Sequence, residues 1–173
     1  RLRLFVSCQS TQCQLETEVS LGVFKNSNNT PAFEPLTATL SRSEIITLGS
    51  PSPCIINPSP VCYWIREYTV TKDIPRDPMG YTVIFQRCCR IDGIRNASPN
   101  VNIGATYSCQ IQGTNSIGVN GINSNPEFII KDTVLICQKK RFQLDYHATD
   151  QDGDSLTYEF SDGYYGGSVN NAI

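Results

Sequence analysis

Apolar and polar positions alternate along much of this chain, and a period of two is the signature of β-strands. "RLRLFVSC" (1–8) alternates from its first residue. In "LETEVSLGVF" (15–24), Leu15, Thr17, Val19 and Leu21 share one side. "LTATLSRSEIITL" (36–48) alternates weakly and reads as one or two strands. "YWIREYTVTKDI" (63–74) is rich in aromatic and β-branched residues. "YTVIFQRCCRI" (81–91) follows it after the turn "PRDPMG", which is the pattern of a hairpin. "GATYSCQIQG" (104–113) adds a further strand, and "EFIIKDTVLICQ", "KRFQLDYHATD" and "SLTYEFSDG" read as three more. Between strands, "KNSNNTPAFEP" is a loop, and "GSPSPCIINPSPVC" (49–62) holds four prolines that exclude a central strand. No long segment holds a 3.6-residue apolar period, so the pattern predicts an all-β protein with many turns.

The Gly/Asn-rich stretch "TNSIGVNGINSNP" (114–126) has no periodicity and marks a boundary. Residues 1–122 are expected to form a disulfide-stapled β-sandwich. Residues 123–173 are expected to be part of a second module, since about fifty residues are too few for a full sandwich. A strand at the first residue, with no turn before it, suggests a piece of something longer. Any export signal is then expected to have been removed or to lie outside this piece.

Composition narrows the function classes. Net charge is −2 with both signs mixed, unlike the basic face of a nucleic-acid binder. No apolar run approaches the ~20 residues that cross a bilayer as a helix. No nucleic-acid partner and no membrane insertion are expected. His147 is the sole histidine, a poor start for a catalytic triad, so no enzyme is expected.

Eight cysteines, Cys8, Cys13, Cys54, Cys62, Cys88, Cys89, Cys109 and Cys137, are an even set. Zinc would want paired C-x2-C motifs or more histidines. Disulfides fit better, and with them an oxidising, extracytoplasmic setting. Connectivity stays open among 105 pairings for eight cysteines. Cys54 with Cys62, closing a short loop, is the expected local pair. Adjacent Cys88 and Cys89 on a strand point to opposite faces, so they are expected to bond two separate, remote partners. A redox role would need an exposed low-pKa thiolate with a resolving partner, commonly C-x-x-C at a helix start, which the chain lacks.

"ATDQDGDSLTY" (148–158) places Asp150, Asp152 and Asp154 around Gly153. Calcium takes several oxygen ligands from such clusters. Counted from Asp150, the EF-hand glycine and glutamate positions hold Ser155 and Ser161, so that loop type is excluded. A cadherin-like calcium loop, completed by a carboxylate from elsewhere, and a plain Asp-Gly turn between strands both remain open. No organic cofactor is expected.

Four stretches together resemble the large secreted surface proteins of Bacteroidota, the gliding-motility adhesins and their relatives exported by type IX secretion. They are "LRLFVSC", "PCIINPSPVCYWIREYTVT", "GYTVIFQRCCRIDGIRN", and "NSNPEF" followed by "ICQKKRFQLDYHATDQDGDSLTYEF". Ser7 stands where that family usually has aspartate, and Asp92 departs from an asparagine region. The resemblance implies an Ig-like β-sandwich followed by the start of a cadherin-like or PKD-like module. It implies display on the bacterial cell surface and an adhesive or filament-building role. The partners it implies are neighbouring modules of the same chain or filament, and surface glycans or substratum. "DTV" and "DSL" resemble the O-glycosylation motif of these bacteria, with Thr133 and Ser155 as acceptors. The reading from another class is a carbohydrate-binding module stacking sugars on Tyr63, Trp64, Tyr68, Tyr164 and Tyr165. The plainer expectation is that Trp64 and its neighbours alternate into the core.

Overall fold

The structure is a computed structural model of the 173-residue chain, and it describes residues 1–8, 16–47, 62–87, 104–117, 121–129 and 139–163. The strands are β1 (Leu2–Ser7), β2 (Glu18–Lys25), β3 (Leu36–Thr47), β4 (Cys62–Thr69), β5 (Gly80–Arg87), β6 (Ala105–Gln112), β7 (Glu127–Phe128) and β8 (Ala148–Thr149). Among the described residues a short helix, α1 (Thr114–Ile117), follows β6. The long strands are ordered β1-β4-β3-β2-β5-β6, and β7 pairs β8 separately. The fold class is all-β, as the alternation predicts.

Two compact units emerge, each discontinuous in sequence. One gathers Arg1–Val19, Ala38–Thr71 and Pro126–Asp154. The other gathers Ser20–Thr37, Lys72–Asn125 and Ser155–Ile173.

In the first unit β4 runs between β1 and β3, antiparallel to both. Its register sets Ile65 opposite Phe5 and Glu44, and Trp64 opposite Val6 and Ile45. Val6, Ile65 and Tyr68 are buried, and Tyr68 is only 1% exposed. Its hydroxyl donates to the Glu16 carbonyl at 3.0 Å, and the Arg66 guanidinium donates to the same oxygen at 2.8 Å. Glu67, 8% exposed, accepts from Arg3 Nε at 3.0 Å, and the same carboxylate oxygen lies 2.9 Å from Arg3 NH2. A charge at such depth is tolerable because it is paired and hydrogen-bonded. The register of β3 shifts between Leu40 and Arg42, and the Ser41 hydroxyl donates to the Glu67 carbonyl at 3.0 Å. That bulge explains the weak alternation over 36–48: one strand with an extra residue, since each bulge flips the side-chain phase.

In the second unit β5 runs between β2 and β6. Val23 pairs Val83 and Phe85 pairs Tyr107, whose rings stack at 6.3 Å between centroids. Leu21, Val23, Phe24, Tyr81 and Phe85 are buried. After β2 the chain turns at Asn29, whose φ of 55° is one that asparagine tolerates. The turn closes with Lys25 N–H donating to the Thr30 carbonyl at 2.9 Å.

Two expectations need correction. Strands 63–74 and 81–91 do not form a hairpin: β4 bonds β1 and β3, while β5 bonds β2 and β6. Their connection carries Pro75 and Pro78 and is too long for a tight turn, so side-chain pairing elsewhere sets each partner. "KRFQLDYHATD" contributes only Ala148 and Thr149 to a strand, and "SLTYEFSDG" contributes none. Of "EFIIKDTVLICQ", Glu127 and Phe128 are a strand, and residues 130–138 lie outside the described residues.

Candidate functional site

The clearest chemical feature of the first unit is a crosslink. Cys8 and Cys62, 54 positions apart in sequence, form a disulfide with 5.5 Å between their Cα atoms. The ladder explains the pairing. β1 and β4 run antiparallel with Ser7 opposite Tyr63, so the next position sets Cys8 opposite Cys62. Cys8 N–H also donates to the Cys62 carbonyl at 3.2 Å. The expectation that Cys62 would bond Cys54 is therefore overturned. Sequence proximity favoured the short loop, but the ladder fixes which β-carbons meet.

Cys13, Cys54, Cys88, Cys89 and Cys137 lie outside the described residues, as does Thr133. Cys109 sits on β6 opposite Val83, is exposed, and bonds no cysteine among the described residues. Partial burial of its sulfur pushes the thiol pKa up, away from the reactive thiolate.

The acidic turn is a hydrogen-bonded one. Asp150 Oδ1 accepts from the backbone N–H of Asp152 at 2.8 Å and of Asp154 at 3.2 Å. Gly153 has a φ of 80° with open space where a Cβ would be. Asp152 and Asp154 are exposed, and Asp150 is partly buried. Among the described residues no group of three or more His, Cys, Asp or Glu is arranged to hold a metal. Ser155 is exposed. Nearby, His147 Nδ1 lies 2.8 Å from Asp145 Oδ2, and its backbone N–H donates to Oδ1 at 3.0 Å. Those two hydrogen bonds, backbone first, hold the Asp145 carboxyl below its ordinary pKa.

Adjacent on β4, Tyr63 and Trp64 point to opposite faces of the sheet, so these two sugar-stacking candidates share no platform. Tyr63 packs edge-on to Phe5 at 5.7 Å between centroids. Trp64 is half-buried, and the Arg66 guanidinium carbon lies 5.9 Å above its ring. Tyr68 is buried, and Tyr164 and Tyr165 lie outside the described residues.

The second unit holds a cleft that the sequence did not announce. It measures about 260 Å³ and is lined by Ile74, Pro75, Arg76, Ile111, Ile117 and Ile122, among others. Asp77 organises its floor. Its Oδ1 accepts from Met79 N–H at 2.8 Å and Gly80 N–H at 3.1 Å, and its carbonyl accepts from Thr114 N–H at 3.0 Å. Gly80 has a φ of 76°, and a Cβ there would meet the Ile111 carbonyl oxygen at 2.1 Å. The buried Tyr81 hydroxyl donates to the Pro75 carbonyl at 2.9 Å. Burial, then the Asp77 charge, pushes the Tyr81 pKa up. The signal for this knot was the "DPMG" turn, which predicts the bend but not the cleft beside it.

Among the described residues no helix is long and apolar enough to cross a membrane. No family model matches the chain, and no curated protein or solved structure matches it.

Proposed function

We propose that this chain is a structural or adhesive module of a long extracellular surface protein of the gliding-motility adhesin type, displayed on a bacterial cell after type IX secretion. The observation that carries this reading is the Cys8–Cys62 disulfide across the ends of neighbouring strands. A covalent tie of this kind belongs to oxidising compartments and limits local opening. The resemblance of the "RCCR" and "ATDQDGDSL" segments supplies the surface setting. Glycan binding through Trp64 has less support, because Arg66 lies over its ring and Tyr68 is buried. The Ig-like and cadherin-like module assignment, and O-glycosylation at Thr133 and Ser155, belong to the same proposal. Calcium at Asp150, Asp152 and Asp154 does too, and its support is the spacing of those carboxylates; equilibrium dialysis against calcium tests it.

The test of the main reading is surface labelling with an antibody on intact source cells, paired with activity screens on the purified chain. Labelling of intact cells, released by protease shaving, is the expected result. Labelling only after lysis, or turnover of glycan or peptide substrates, would overturn it.

A further inference from the structure

The cleft beside Asp77 lies wholly within the second unit. Ile74, Ile111, Ile117 and Ile122 give it apolar walls. Ile122 is 85% exposed, so an apolar group entering the cleft would take that side chain out of water. Two charged residues, Arg76 and Asp77, share the lining. They are neighbours in sequence, yet among the described residues neither forms an ion pair, with the other or elsewhere. Asp77 Oδ1 accepts from the Met79 and Gly80 N–H groups, while Oδ2 takes no hydrogen bond among the described residues. Arg76 is exposed, and among the described residues its guanidinium has no hydrogen-bond partner.

These features select among ligand classes. At about 260 Å³ the cleft falls below the roughly 300–1,000 Å³ of sites for drug-sized molecules, so its occupant is small. A sugar is a poor match. The ring of Tyr81 already stacks on Phe33 at 6.1 Å between centroids, and its hydroxyl is bonded to the Pro75 carbonyl. A simple anion meets the Asp77 charge, and a simple cation meets the Arg76 charge. A wholly apolar molecule would dry both charges without pairing either. A molecule with both charges and an aliphatic body meets every condition: its carboxylate suits the guanidinium, its ammonium suits Oδ2, and its side chain suits the isoleucines.

We propose that this cleft binds an aliphatic α-amino acid as its zwitterion. Arg76 takes the carboxylate, Asp77 Oδ2 takes the ammonium, and Ile74, Ile111, Ile117 and Ile122 hold the side chain. This goes beyond the adhesive reading and does not rest on it.

The test titrates L-leucine into the full chain, labelled with carbon-13 at the isoleucine methyls and followed by NMR. The expected result is a saturable shift, largest at Ile74, Ile111, Ile117 and Ile122. N-acetyl-L-leucine lacks the ammonium and L-leucinamide lacks the carboxylate. Each should bind more weakly than L-leucine by about tenfold or more, the loss of one charge-assisted hydrogen bond. Arg76→Gln should weaken L-leucine by a similar factor and leave L-leucinamide unchanged. Asp77→Asn keeps the Oδ1 acceptor for the two N–H groups, and should weaken L-leucine while leaving N-acetyl-L-leucine unchanged. The comparison of the three ligands uses the unmodified chain, so it decides the matter even where a variant folds poorly. No saturable shift up to the solubility limit of L-leucine, shifts largest at other isoleucines, or equal affinity for the three ligands would each overturn the proposal.

Discussion

β4 and the segment 155–163 carry the same alternation and meet opposite fates. β4 is bonded on both sides, by β1 and β3, and Tyr68 within it is 1% exposed. Residues 155–163 form no strand, and Phe160 stands fully exposed. The difference teaches that alternation specifies which side chains share a face, whereas a strand exists only where an edge is present to bond it. β4 has a further advantage in the covalent tie at its first residue, which fixes its register against β1.

The comparison can be broken first at Tyr68. Tyr68→Ala removes a fully buried ring and the hydroxyl bond to Glu16, and should cost about 3–5 kcal/mol in urea unfolding. Phe160→Ala in the same assay should stay within about 0.5 kcal/mol. Equal losses would mean that Phe160 is packed in solution.

Removing the crosslink comes next. Cys8→Ala with Cys62→Ala opens a loop whose ends lie 54 positions apart in sequence, and the chain-entropy account gives about 4 kcal/mol of lost stability. Tryptophan fluorescence, with Trp64 as the only reporter, should follow the transition directly. An unchanged midpoint would show that the ladder alone fixes β1.

Two glycines sharpen the contrast at smaller scale. Gly80 and Gly153 have nearly equal φ, 76° and 80°. A Cβ at Gly80 meets a carbonyl oxygen at 2.1 Å, whereas one at Gly153 meets nothing. Gly153→Ala should cost only the left-handed penalty of about 1–2 kcal/mol per residue, seen as a local change. Gly80→Ala should cost more than Gly153→Ala by thermal unfolding, because the backbone around the cleft must shift as well.

The smallest effect is at high pH. The folded pKa of Tyr81 is raised above its unfolded value, so the folded state holds that proton more tightly. Its contribution to stability is full below the unfolded value near 10, and is lost as pH rises through the higher folded value. Tyr81→Phe should flatten that part of the stability–pH curve. An unchanged slope in the variant would assign the loss to other groups.

Much of the strand layout was legible in the pattern. The stretches 1–8, 15–24, 63–74, 81–91 and 104–113 each contain a strand, because their side-chain alternation coincides with real neighbours. The interrupted alternation of 36–48 was visible, but its cause, the bulge beside Ser41, depends on the partner strand. The Cys8–Cys62 bond was hidden for the same reason: nothing local in "RLRLFVSC" or "PSPVCYW" states that their ends face one another. The cleft beside Asp77 was hidden because it is lined by Ile74, Ile111 and Ile122, which are far apart in sequence.

By itself the sequence determined that the chain is built from strands and turns, and which side chains share a face, since both follow from a two-residue period and local turn chemistry. The tertiary structure alone decided which strands are neighbours, which cysteines meet in Cys8–Cys62, and that residues 155–163 remain without a ladder. Strand pairing is a non-local hydrogen-bonded contact whose register depends on two segments at once, and neither segment encodes its partner.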